Sequence, residues 1–297
     1  MKKLISVALA GTLALSLAAC GSSASSSAAE STAPAESEAA STSEAASEEA
    51  TSDLAGTTLK VAASPTPHAE ILNAVKDILA EQGITLEVVE FSDYVQPNLV
   101  TESGEVDANY FQHITYMNQY NEDNGYHLVS VGSIHYEPFG LYAGKTASIE
   151  ELADGAQIAI PNDATNGGRA LLLLEQEGLI TLKEDAGITA TVTDIVDNPK
   201  NLEIVELEAR LLPDSLKDVD LAVINGNYAI DAGLKISDAL AIESAEGEAA
   251  TAYANVLTVK EGNENDEGVQ ALLAALESDE VRTFIEETYD GAVVPLF

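Results

Sequence analysis

The chain has 297 residues, 50 of them acidic and 13 basic, giving a formal net charge of −37 at pH 7. So negative a protein repels phosphate backbones and anionic lipid faces, which excludes nucleic-acid binding and a polybasic membrane contact. A single cysteine excludes a disulfide within the chain and leaves no thiol pair for redox or zinc chemistry.

Lys2 and Lys3 precede a short apolar run over residues 4–17. That order predicts a secretory signal over residues 1–19, too short for the ~20 apolar residues of a membrane span. Leu17-Ala18-Ala19-Cys20 resembles the lipobox of bacterial lipoproteins. The resemblance implies cleavage before Cys20 and lipidation of that residue. The mature chain would then sit on the outer face of a bacterial cytoplasmic membrane, held by its lipid anchor alone. Residues 21–53 are mostly Ser, Ala, Thr and Glu, with seven acids and no Lys or Arg. Such a segment cannot bury enough apolar surface to offset its ordering entropy, so residues 20–53 are expected to be a disordered tether.

Strand and helix patterns alternate in the remainder. Residues 59–63 read as a strand, and the apolar spacing over 69–79 as a helix ended by Gly83. A second strand is expected over 84–91. This βαβ opening predicts a largely parallel sheet. A short helix over 94–103, a strand over 106–110 and a helix over 114–124 ended by Gly125 follow. Strands are then expected over 128–131, 139–142, 157–161, 202–207 and 219–224, with a helix over 165–177. The end is helical, with Val269, Leu272, Leu273 and Leu276 on one stripe and Ser278 as cap of a last helix. Two similar α/β units predict two lobes around a cleft: residues 54–140 with 253–297, and residues 141–252. Ligands in such sheets bind at the carboxyl ends of strands.

Enzyme signatures are missing. There is no G-x-S-x-G elbow, phosphate-binding loop, G-x-G-x-x-G after a strand, or H-E-x-x-H, and the reading is of a receptor without a cofactor. The four histidines are 68, 113, 127 and 135, and none is at i, i+4 to another. A metal receptor would have to gather His68, His113 and His135 from separate loops; a surface adhesin is the other alternative. Arginine is scarce, at 169, 210 and 282. Arg169 follows Asn162-Asp163-Ala164-Thr165-Asn166-Gly167-Gly168 and is expected in the first turn of a helix. Helix N–H groups and a guanidinium together suit a carboxylate. An ion pair with one of the many acids is the other use open to it. Rings concentrate at Tyr94, Tyr110, Phe111, His113 and Tyr116, as in an apolar pocket wall or in ordinary packing. Asn225 and Asn255 interrupt apolar strands, where an amide needs a partner.

Several strings together resemble the methionine-binding lipoproteins, receptor subunits of methionine ABC importers. They are Pro67-His68-Ala69-Glu70-Ile71-Leu72, Phe91-Ser92-Asp93-Tyr94-Val95-Gln96-Pro97-Asn98 and Asp107-Ala108-Asn109-Tyr110-Phe111-Gln112-His113. To these add Asn162-Asp163-Ala164-Thr165-Asn166-Gly167-Gly168-Arg169, Ala222-Val223-Ile224-Asn225-Gly226-Asn227-Tyr228 and Tyr253-Ala254-Asn255. The resemblance runs from about residue 58 to the end. It implies a two-lobed periplasmic-binding-protein fold closing on L-methionine, a close derivative or a short methionine peptide, and delivery to an ABC permease and its ATPase. It implies that Arg169, helped by Asn166, holds the carboxylate, that Asn225 and Asn255 hold the ammonium or carboxylate end, and that Tyr94, Phe111, His113 and Tyr116 enclose the thioether. Thr66 stands where the family commonly has Gly, Gly167 where it often has a larger residue, and Thr251-Ala252 where Ser-Pro is common.

Overall fold

A computed structural model describes residues 54–244 and 249–297; the expected signal, Cys20 and the tether lie outside the described residues. The described residues open with β1 (Thr57–Ala63) and, after a kinked turn at Pro65–Ala69, two short helices, α1 (Glu70–Ala74) and α2 (Lys76–Glu81). Then come β2 (Ile84–Glu90), α3 (Gln96–Ser103), β3 (Ala108–His113), α4 (Ile114–Asn124), β4 (Leu128–Tyr136) and β5 (Gly140–Ala143). The middle of the chain forms β6 (Gln157–Pro161), α5 (Ala164–Gln176), β7 (Thr181–Leu182), β8 (Ile195–Asp197) and β9 (Glu203–Leu207). It continues through α6 (Leu212–Ser215), β10 (Leu221–Ile224), α7 (Gly226–Asp231), β11 (Ala241–Ile242) and α8 (Ala249–Ala252). The end is β12 (Ala254–Lys260), α9 (Glu267–Leu276), α10 (Asp279–Tyr289) and β13 (Val294–Pro295).

The strands build two main sheets, in the orders β13-β4-β12-β3-β1-β2 and β11-β5-β10-β6-β9. This is the two-lobed α/β architecture. In the first sheet, β1 pairs in parallel with β2 and β3, while β12 runs antiparallel to both β3 and β4. The sheet is therefore mixed, not largely parallel as expected. The reason is topological: β12 returns from the second lobe and inserts between strands laid down more than a hundred residues earlier. The second sheet is also mixed, with β6 parallel to β9 and β10, and β5 antiparallel to β10.

The residue types account for each core. Ile71, Leu72, Val75 and Leu79 face Leu59, Val61 and Tyr110, and the Val269, Leu272 and Leu276 stripe closes the same layer. In the second lobe, Leu171, Leu173 and Leu174 of α5 pack on Ile158, Ile160 and Val223. Ala62 is buried on the opposite face of β1, beside Val100 and Val106, so the end of the strand, Val61-Ala62-Ala63, is apolar on both faces. Ser278 caps α10 by accepting from the Val281 amide. The chain passes between sheets at residues 137–139 and again just before β12. The carboxyl ends of β3, β6 and β10 meet beside these crossings.

Candidate functional site

His113 closes β3 and caps α4. Its Nδ1 accepts the Tyr116 amide at 3.0 Å, so its proton resides on Nε2, which donates to Asn166 Oδ1 at 3.2 Å. Asn166 lies in the first turn of α5, whose cap is Asp163. The Asp163 carboxylate takes both the Asn166 amide N–H and its Nδ2, each at 2.9 Å to Oδ1. A carboxylate only accepts, so Asn166 must turn its own Oδ1 the other way. There it receives His113 and also Asn225 Nδ2, at 2.8 Å. The amide of Asn225 is thereby oriented, and its Oδ1 is left buried with no partner among the described residues.

Asn255 stands on β12 opposite both His113 and His135. Its Oδ1 accepts from His68 Nε2 at 3.0 Å, which leaves its Nδ2 as a donor. Arg169 is buried in the second turn of α5, not the first. Asp163 takes the Asn166 amide at the start of α5, and the guanidinium bonds elsewhere. Its Nε donates to Glu243 Oε2 at 2.8 Å, and Nη2 donates to Glu243 Oε1 and, at 2.8 Å, to the Glu137 carbonyl. The guanidinium carbon lies 4.2 Å from the Tyr253 ring centroid and 4.7 Å from that of Phe139. Burial works against its charge and Glu243 outweighs that, so Arg169 titrates above its ordinary range.

The rings of Tyr94, Phe111 and Tyr116 form one cluster, with centroids 5.7 to 6.2 Å apart. Tyr94 donates its hydroxyl to Asn227 Oδ1 at 2.6 Å, and Tyr116 donates to the Tyr94 carbonyl at 3.2 Å. Burial raises both phenols well above their usual pKa, so they stay donors. Tyr94, Phe111, His113, Tyr116, Asn166, Arg169, Asn225 and Asn255 all line one cavity. Cys20 lies outside the described residues.

Sequence reasoning missed the acids. Glu137 also lines the cavity. Behind it, His135 Nε2 donates to Glu137 Oε1 at 2.8 Å while His135 Nδ1 accepts from the Tyr110 hydroxyl. His68 Nε2 is 3.5 Å from the same carboxylate oxygen. Burial pushes His68 down to about 4 and His135 down to about 3, so both rings are neutral. Burial raises Glu137 above the usual carboxylate range, with His68, the Asn227 amide and Arg169 acting against it. The metal alternative combined His68, His113 and His135. In the structure His68 and His135 instead converge with Glu137, their donor atoms within 4.8 Å of one another, and His113 belongs to the Asn166 network. Those three could offer ligands to an ion, but their ring protons already serve Glu137 and Asn255.

Two α/β lobes with a buried polar cavity at their crossings define a substrate-binding protein. The chain belongs to the NlpA lipoprotein family, whose model matches residues 59–297. A lipoprotein from Ruminococcus gnavus has 56% sequence identity and a TM-score of 0.80, with 81% of this chain and 100% of that chain covered. The D-methionine-binding lipoprotein MetQ of Escherichia coli is 45% identical over 215 residues, 71% of this chain and 78% of that protein. A nutrient-binding protein from Burkholderia cenocepacia, solved bound to methionine, is 42% identical, with a TM-score of 0.77 and 80% of this chain and 100% of that chain covered. Among the described residues, no helix is long and apolar enough to cross a membrane.

Proposed function

We propose that this protein is an extracytoplasmic receptor for free methionine that passes its ligand to an ABC importer. The observation that carries the reading is the divided polarity of the cavity. Arg169 and the Asn255 amide Nδ2 offer donors, Asn225 offers an unpaired acceptor, and Tyr94, Phe111 and Tyr116 offer an apolar cage. A zwitterion with a soft thioether tail fits that pattern, because sulfur packs favourably against aromatic edges. Methionine is the ligand named for the relatives from Escherichia coli and Burkholderia cenocepacia.

In this reading Arg169 serves the carboxylate end, with Asn166 helping by holding His113 and Asn225 in place, Asn225 and Asn255 flank the charged groups, and Tyr94, Phe111, His113 and Tyr116 surround the thioether. Residues 54–140 with 253–297 form one lobe and 141–252 the other, and methionine favours closure by binding the closed state more tightly. Residues 1–19 direct export, Cys20 carries the lipid, and residues 20–53 let the receptor reach an ABC permease and its ATPase. Calorimetric titration with L-methionine, D-methionine, methionyl dipeptides and leucine tests the ligand. Saturable binding of a methionine stereoisomer is expected, with a melting temperature that rises as ligand exceeds its Kd. Failure of both stereoisomers to bind would reject the reading.

A further inference from the structure

We propose that Glu137 is the anionic partner of the ligand's ammonium group, so that the cavity selects free α-amino acids over N-acylated and hydroxy-acid analogues. The inference rests on the reading of the cavity as an amino-acid site and names the group that fixes the amino end.

The argument starts from charge. Arg169 is the cation of the cavity, and Glu243 already matches it through two of the guanidinium nitrogens. That pair is neutral, and a zwitterionic ligand adds one charge of each sign. Glu137 is the acid that lines the cavity itself, only 5% exposed. Its side chain receives neutral donors: the His135 ring and the Asn227 amide. Arg169 binds its backbone carbonyl, not its carboxylate. The His135 tautomer is set by Glu137: a carboxylate only accepts, so the ring proton sits on Nε2 and Nδ1 accepts from the Tyr110 hydroxyl. A buried carboxylate with no cation bonded to it is costly, and a bound ammonium removes that cost.

A second observation points to the same wall. Asp163 orients Asn166, and Asn166 orients Asn225, so that the unpaired atom of Asn225 is an acceptor. Gly226, the next residue, runs so close to Glu137 that a Cβ there would lie 2.8 Å from its Oε2. Asn225, Gly226 and Glu137 line the same cavity. Two acceptors on one cavity, one of them anionic, suit a primary ammonium with three N–H donors. An acylated nitrogen has one donor and no charge, and a hydroxyl has one donor and no charge.

Calorimetry on the wild type and on Glu137→Gln tests this with three ligands: L-methionine, its hydroxy-acid analogue and N-acetyl-L-methionine. The wild type should bind methionine about a hundredfold more tightly than either analogue, as expected when a buried charge loses its partner. In Glu137→Gln the methionine affinity should fall by about the same factor, while the hydroxy acid changes little. Equal wild-type affinity for methionine and the hydroxy acid would overturn the inference while leaving methionine binding intact. A variant weakened equally toward both would also overturn it, since Glu137 would then act only on structure. The wild-type comparison stands even if the variant fails to fold. Absence of methionine binding in the wild type would remove the amino-acid reading and this inference with it.

Discussion

Arg169 and Glu243 are each tolerable inside the protein because the other is there. Removing one partner of a buried pair leaves an uncompensated charge and costs about 3–5 kcal/mol of stability. Arg169→Ala should therefore weaken methionine binding by ~2–5 kcal/mol and lower the urea midpoint as well. Arg169→Ala with Glu243→Ala should be less destabilised than the two single effects added, because the pair is coupled. Unchanged methionine affinity in Arg169→Ala would take the guanidinium out of the site. Arg169 was legible in the sequence because arginine is rare there and a helix cap with an Asn turn precedes it. Its partner was not. Glu243 and Glu137 are two of 50 acids, and nothing local marks them: their burial is made by segments distant in sequence. His68 and His135 were visible only as histidines. That they back Glu137 depends on β4 extending past the expected residue 131 to Tyr136, which carries His135 to the edge of the cavity.

At the scale of elements, one close approach positions the acceptor wall. The start of α7 passes over the crossing between β4 and β5 at Gly226, where a Cβ would lie 2.8 Å from both Cβ and Oε2 of Glu137. Gly226→Ala should push the Glu137 side chain aside or lift α7, and so weaken methionine binding with a stability loss of about 1–3 kcal/mol, as overpacking does. Calorimetry and urea melts on the same preparation separate the two effects. Wild-type affinity with intact stability would mean that the crossing has room to yield. Elements specified by local chemistry were the legible ones. The bounds of α4 follow from a β-region His113 cap and Gly125 at φ +66°, and β6 after Gln157 is a buried apolar run. Non-local features were hidden. The helix expected over 69–79 breaks at Val75, whose amide bonds back to Leu72. The small β7-β8 sheet and the insertion of β12 depend on pairings that no short window contains.

The whole molecule is tied together across its cleft by buried polar groups that must stay uncharged. Tyr94 reaches Asn227, Tyr228 donates to the Ser92 carbonyl at 3.1 Å, and His113 reaches Asn166. Burial holds His113 at about 3, His135 at about 3 and His68 at about 4 in the folded protein. In the unfolded chain each histidine takes up a proton as the pH falls through about 6.5. Between that pH and the folded values the unfolded state binds more protons, so stability declines as the solution is acidified. Each ring contributes up to ~1.4 kcal/mol per pH unit. Glu137 pulls the other way, because its raised pKa lets the folded state gain a proton before the unfolded chain does; it is one group against three. The window from about pH 6.5 to 5 isolates the effect, since exposed carboxylates remain largely ionised there. Urea melts across that window should show stability falling with pH. His113→Gln removes one ring of three and should flatten the slope by at least about a third, since Glu137 offsets part of the total. A flat wild-type profile would mean that the rings gain protons while the cleft stays closed, and that the polar network tolerates charge.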